Sequence, residues 1–75
     1  MKELLSTIVT PLVSKPQEIS ITETVEGDTV TLTLHVAEED MGRVIGKQGR
    51  IAKAIRTLMK SVAVRNDTKV VVEII

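Results

Sequence analysis

A chain of 75 residues, 43% hydrophobic and 27% charged, describes one small domain (1–75) with a modest core. It has no cysteine and a single histidine, His35, which excludes a disulfide framework, a thiolate metal centre and a histidine-rich one. Ten basic residues balance ten acidic ones, and a net charge of zero speaks by itself against a nucleic-acid binder. Phe, Tyr and Trp are also absent, so stability has to come from aliphatic packing, helped by a second subunit. No apolar run exceeds three residues, which predicts no membrane-spanning helix. Glu3, Ser6 and Thr7 interrupt the apolar positions at the N-terminus, which argues against a secretory leader. The expected location is cytoplasmic.

The elements follow in chain order. Leu4, Leu5, Ile8, Val9, Leu12 and Val13 have helical spacing over Glu3 to Ser14. Pro11 lies inside that run and predicts a kink or a broken last turn, with Lys15-Pro16 as the stop. Glu18 to Val25 alternates, placing Ile19, Ile21 and Val25 on one side of a half-buried strand. Glu26-Gly27-Asp28 is a turn. Thr29 to Ala37 alternates again, with Val30, Leu32, Leu34 and Val36 inward and Thr31, Thr33 and His35 outward, so the two runs read as a hairpin. Asp40 is a plausible N-cap for a short helix through about Ile45. A second helix follows from Arg50 to about Val62, Arg65-Asn66-Asp67 breaks the pattern, and Thr68 to Ile75 is β-branched and strand-like. From the second strand to the last, the order is a strand-helix-helix-strand crossover, which predicts parallel neighbours and a right-handed connection.

Between the two later helices lies Gly42-Arg43-Val44-Ile45-Gly46-Lys47-Gln48-Gly49, with three glycines in eight residues. A backbone bracketed by Gly46 and Gly49 can bend tightly and approach a ligand's own backbone. Lys47 and Gln48 between them supply hydrogen-bond donors. The charge is also unevenly spread. From Met41 to Asn66 there is no acid, and Arg43, Lys47, Arg50, Lys53, Arg56, Lys60 and Arg65 fall in that window, while most acids lie between Glu18 and Asp40. A neutral chain can therefore carry one basic face, and local potential steers a ligand more than net charge does. Lys53, Arg56 and Lys60 also read, in part, as a solvated helix face.

Other features have plainer readings. Glu38, Glu39 and Asp40 at a helix start complement the helix dipole and cap it, rather than forming a catalytic carboxylate pair. His35 falls on the surface, and Met41 and Met59 are packing residues. Gly42 is read as permitting close helix packing. Gly42 to Lys47 has a Gly-x-x-x-Gly-Lys shape, but it is one residue short of a phosphate-binding P-loop and lacks the following Ser or Thr. No nucleophile-base pair, metal cluster or cofactor loop is visible, so an enzyme is not expected.

The element order, together with Gly46-Lys47-Gln48-Gly49 between two helices, resembles the KH domain in its type II topology. That fold is α+β, helix-strand-strand-helix-helix-strand, with a three-stranded mixed sheet covered on one face by helices. Ile45 before the loop and Ile55 on the following helix fit the same pattern. Gly42 to Arg50, followed by Ala54-Ile55-Arg56-Thr57, and the early Thr10-Pro11-Leu12-Val13, resemble the KhpA (YlqC-like) family of small bacterial single-KH proteins over essentially the whole chain. The resemblance implies an RNA chaperone or post-transcriptional regulator that grips single-stranded RNA through the loop and needs no cofactor. The residues implied in binding are Arg43, Val44, Ile45, Gly46, Lys47, Gln48, Gly49, Arg50 and Lys53. Lys47 would act as a mobile charge and Arg50 as a fork for phosphate. Of Val44 and Ile45, one faces the core. Without aromatic side chains, base stacking is impossible, which predicts modest affinity and loose sequence preference.

Two apolar stripes share the last helix: Ala52, Ile55, Met59 and Val62, and beside them Ile51, Ala54 and Leu58. Together they exceed what a helix on one face of a small sheet usually buries. The second stripe is either a wide contact with the first helix or a subunit interface. The resembled family is understood to pair with itself and with a larger Jag-type KH-domain protein. A protein-docking module with RNA binding secondary is therefore the alternative function.

Overall fold

The computed structural model describes residues 1–75. Helix α1 spans Lys2–Val9, with Leu5 and Val9 buried. Pro11 brings no amide hydrogen, and the chain tightens into a 3-10 turn over Thr10–Leu12, the broken last turn its position predicts. A second 3-10 turn, Pro16–Glu18, leads into strand β1, Ser20–Glu26. Strand β2, Thr29–His35, returns through the two-residue loop Gly27-Asp28, where Gly27 takes φ +61°. Helix α2, Met41–Ile45, and helix α3, Arg50–Arg65, precede strand β3, Lys69–Ile74.

The sheet has the order β1-β2-β3, with β2 antiparallel to β1 and parallel to β3. It is therefore the mixed three-stranded sheet expected of the crossover. In register, Thr22, Thr33 and Glu73 line up across one face, and Ile21, Leu34 and Ile74 across the other. The helices cover only the second face. Leu32, Leu34, Val70 and Val72 from the sheet meet Leu5 and Val9 of α1, Val44 of α2, and Ile55, Met59 and Ala63 of α3. At roughly 25 cal/mol per Å² of apolar area removed from water, an all-aliphatic core of this kind is the dominant stabilising term.

Three local expectations change. Val25 was expected inward but is 61% exposed, because it sits on the edge strand beside the hairpin loop, past the cover of the helices. Helix α3 runs one turn beyond Val62. Ala63 is buried, and the end is closed by Thr68 N–H donating to Ala63 O (2.9 Å) and Asp67 N–H donating to Val64 O (3.2 Å). Asp67, at φ +53°, fills the left-handed position that glycine usually takes in such a C-terminal motif.

Asp40 stands at the N-cap position of α2 but makes no capping hydrogen bond. Its carboxylate is fully buried and turned to the chain segment that follows α1. Oδ1 accepts from Ser14 N–H (3.0 Å) and Ser14 Oγ (2.9 Å), and Oδ2 accepts from Lys15 N–H (3.1 Å). Arg43 Nη1 lies 3.7 Å from Oδ1. The side chain thus ties the α1–β1 connection to the start of α2.

The Ser14 backbone donor, reinforced by the Ser14 hydroxyl, the Lys15 amide and the Arg43 charge, holds the Asp40 carboxyl below the usual carboxylate range against the opposing effect of burial. A depressed folded pKa contributes stability that is complete above the unfolded value, about 4, and is lost as pH falls through the folded one. Asp40→Ala should therefore lower the urea midpoint at neutral pH. The gap to the unmodified protein should narrow as pH falls below about 4. Denaturation followed by circular dichroism across that range checks it, and a gap independent of pH would contradict the assignment.

Candidate nucleic-acid interface

Val44 anchors α2 in the core, so the opposite face of that short helix carries Gly42, with Arg43 and Ile45 on its flanks. Val44 is fully buried and presents nothing to a ligand; it drops out of the expected contact set, and Ile45, 38% exposed, is the member of the pair that reaches the surface. The loop then bends through three left-handed residues, Gly46 at φ +75°, Gln48 at +58° and Gly49 at +74°. Gln48 is not a glycine, and holding it there costs about 1–2 kcal/mol of backbone strain. Gly46 N–H donates to Gly42 O (2.8 Å) and Gly49 N–H to Gly46 O (3.2 Å), which fixes the bend. Lys47 and Gln48 project from it, both exposed.

Gly46 has a second reason to be glycine. A Cβ at this position would lie 2.6 Å from Ile51 Cγ1 and 2.9 Å from Ile51 N. The loop backbone is pressed against the first turn of α3, and no side chain fits between. Gly49 occupies the N-cap of α3 and offers no capping side chain; Lys47 O accepts from the Arg50 amide, and the amides that follow in the first turn of this 16-residue helix have no side-chain partner. Such a turn favours an anion through its amide groups and its dipole.

Helix α3 presents three surfaces at about 100° per residue. Its core stripe is Ala52, Ile55, Met59 and Ala63, with Val62 half-buried. Lys53 lies on the outer side of the helix with Thr57 and Ser61, while one flank carries Arg56 and Lys60 and overlooks β3. A groove of about 210 Å³ lies there, lined by Arg56, Lys60 and Val70 to Val72. Arg56, read in part as a solvated side chain, is exposed and also donates its Nε to Val72 O at 3.3 Å. Lys69 N–H and Ile75 N–H are the ones that bond back toward the hairpin, to Asp28 O and Leu34 O. Strand alternation then aims the backbone groups of Val70, Val72 and Ile74 at this groove. The sequence reading placed Arg56 in the basic window without naming it as a binding residue, and it did not name the β3 edge.

The other flank carries Ile51, Ala54 and Leu58. With Ile8 of α1, Leu12 of the 3-10 turn after it, Ile55 and the cation Arg50, they line a largely apolar hollow of about 300 Å³. Ile51 is half-buried against the core, Ala54 is exposed, and Leu58 remains 47% exposed. The contact with the first helix is therefore real but incomplete.

Charge follows the same division. Lys15 pairs with Glu39 at 2.7 Å and lies 4.0 Å from Glu18, and Arg43 pairs with Asp40, but Lys47, Arg50, Lys53, Arg56 and Lys60 have no carboxylate in ion-pair range. Five unneutralised cations, on the loop, the start and outer side of α3 and its flank over β3, give the neutral chain a basic region. No group of three His, Asp or Glu side chains is placed to hold a metal ion, and no helix is long and apolar enough to cross a membrane.

An antiparallel hairpin, a parallel return through two helices, and a glycine-bracketed loop joining those helices define a type II KH domain. The family model described as KhpA/KhpB, KH domain, matches residues 2–74, and the chain belongs to that family. Curated relatives are close. It is 56% identical over 75 residues to a protein of Clostridium acetobutylicum and 53% identical to one of Clostridium perfringens, each alignment covering both chains completely. A protein of Listeria monocytogenes is 55% identical over 75 residues, which is all of this chain and 99% of the relative. All three carry the name RNA-binding protein KhpA.

The geometry separates the two loop glycines energetically. Gly49→Ala meets open space and should cost about 1–2 kcal/mol, from the left-handed φ alone. Gly46→Ala adds an overlap with Ile51 and should cost about 2–5 kcal/mol, since overpacking contributes about 1–3 kcal/mol more. Urea denaturation of both variants checks the order, and equal losses would contradict the close approach.

Proposed function

We propose that this protein binds single-stranded RNA, with Gly46-Lys47-Gln48-Gly49 closing on the sugar–phosphate backbone. The observation that carries the reading is the coincidence of the bent glycine loop with the uncapped start of α3 and with cations that no carboxylate neutralises. Lys47 supplies a charge at the loop apex. Arg50, at the first position of α3, adds a guanidinium that can fork onto phosphate. Arg43 and Lys53 flank the path. Ile45 offers aliphatic surface for a base, and the groove beside β3, with the outer backbone groups of Val70 and Ile74 and with Arg56, whose Nε already bonds Val72 O, offers hydrogen bonds to base edges. The relatives' shared name, RNA-binding protein KhpA, points the same way. A domain of this kind holds about four nucleotides. Without aromatic stacking, a single site binds weakly, and RNA-chaperone or post-transcriptional regulatory work in the cytoplasm by repeated weak contacts suits such a site.

Two copies on one RNA would recover affinity through avidity. The apolar hollow between α1 and α3 favours such a pair, because Leu58 leaves nearly half its surface in water on the flank away from the basic one. Ile51, Ala54 and Leu58 form the proposed contact between copies. The same surface is where a larger Jag-type KH partner would dock under the alternative reading, in which protein docking is the main activity.

Titration of a labelled single-stranded RNA pool tests the clamp. The unmodified protein should bind, with log K falling against log salt at a slope of about −2 to −3, as expected for three to four phosphates on a single strand. Lys47→Asp/Gln48→Asp should remain folded and lose binding by at least about tenfold. Equal binding by the two proteins would remove the loop from the site. For the pair, Leu58→Asp should shift the sedimenting species toward monomer while leaving the circular dichroism unchanged. A monomeric unmodified protein at tens of micromolar, roughly the range of a weak interface of 6–7 kcal/mol, would contradict self-pairing.

A further inference from the structure

The β1 edge of the sheet lies opposite the groove beside β3, and nothing in the RNA site uses it. The two-residue loop Gly27-Asp28 makes Glu26 and Thr29 a hydrogen-bonded pair. Alternation then gives β2 the backbone groups of Thr24, Thr22 and Ser20, and turns those of Ile21, Glu23 and Val25 outward. β1 ends the sheet, and no loop amide or side chain bonds to those three residues.

Ile21, Glu23 and Val25 also share the face that the helices cover. Ile21 is half-buried, but Val25 is 61% exposed, and Glu23 between them is exposed with no cation in ion-pair range. Beside them a groove of about 470 Å³ separates β1 from α1, lined by Lys2, Glu3, Ser6, Thr7, Ile19 and Ile21. An open strand edge, a helix flank beside it and a groove between them are the parts that capture an extended peptide by strand addition.

Charge selects the occupant. β1 is seven residues long and has no Pro, Lys or bulge to blunt its edge. The longest antiparallel pairing of two copies would set Glu23 against Glu23, which is unfavourable. Glu26 on the strand and Glu3 across the groove add to the acidic side, and Lys2 is the one cation in the groove lining.

We infer that β1 accepts an extended peptide of the pattern apolar-x-Lys/Arg-x-apolar as a fourth strand. The peptide backbone pairs with the outward groups of Ile21, Glu23 and Val25. Its cation lies opposite Glu23, and its two apolar side chains cover Ile21 and Val25. The site is across the sheet from the glycine loop, so the inference stands whether or not that loop binds RNA.

The probe is acetyl-Thr-Val-Thr-Lys-Thr-Val-Thr-amide, titrated into isotopically labelled protein and followed by heteronuclear NMR. Two control peptides carry Glu in place of Lys, or an N-methyl group on the Lys amide. The Lys peptide should shift the amides of Ile21, Glu23 and Val25 and slow their hydrogen exchange. It should bind at least about tenfold more tightly than either control. Glu23→Lys alters an exposed side chain, so it should leave the circular dichroism unchanged and reverse the preference in favour of the Glu peptide. A merely structural role for Glu23 would not exchange that preference. Absence of binding by every peptide up to about 1 mM would overturn the inference and leave Glu23 as a guard against edge pairing. Equal binding of the Lys and Glu peptides would overturn it too, as would shifts confined to the glycine loop or the apolar hollow.

Discussion

Position 46 allows no side chain, and the shape of the site follows from that. Ile51, one residue into α3, fills the space that a Cβ on Gly46 would need. This lets the backbone leaving α2 fold back across the start of α3 instead of standing away from it. The apex residues Lys47 and Gln48 are then held in front of the uncapped helix turn, and mobile charge, oriented amides and the guanidinium of Arg50 converge on one small region. The strain at Gln48 is retained because the hydrogen bond from Gly49 N–H to Gly46 O and the close approach of Gly46 to Ile51 fix the bend around it. A loop of the same composition without the Ile51 contact would be flexible, and ordering it on binding would oppose association.

Behind that loop, the structure keeps two kinds of surface apart with one helix. The core stripe of α3 fixes its rotation. Arg56 and Lys60 are thereby turned toward β3, and Leu58 and Ala54 toward α1. Arg50, at the loop end of α3, borders both the glycine loop and the apolar hollow, so the two surfaces meet at that residue and diverge along the helix from there. The buried Asp40 stabilises this arrangement from the other side. It anchors the Ser14-Lys15 segment to the start of α2, and so links the helix that bounds the apolar hollow to the helix that leads into the loop.

Much of this was legible in the sequence because it is periodic or compositional. Alternation through Leu32, Leu34 and Val36 marks the central strand, Pro11 marks the end of α1, and an acid-free window marks the basic face. What was hidden depends on partners distant in the chain. Asp40 looks like a cap because caps are local, whereas its true donors lie about 25 residues away. The last turn of α3 was missed because Asp67, not glycine, takes the left-handed position. Arg56 looks like a solvated lysine-like charge until the parallel return of β3 places a strand edge beside it. The choice between Val44 and Ile45 depended on the rotation of a helix of only five residues, too short for its own periodicity to decide.

The most direct test of the central claim is residue-by-residue mapping of the RNA site by heteronuclear NMR, adding a short unlabelled single-stranded RNA to the isotopically labelled protein. The account predicts that amide shifts concentrate at Gly46 to Arg50 and along Val70 to Val72, while Ile8, Ala54 and Leu58 stay in place. Shifts confined to the apolar hollow or to the threonine face of the sheet, with the glycine loop silent, would contradict it.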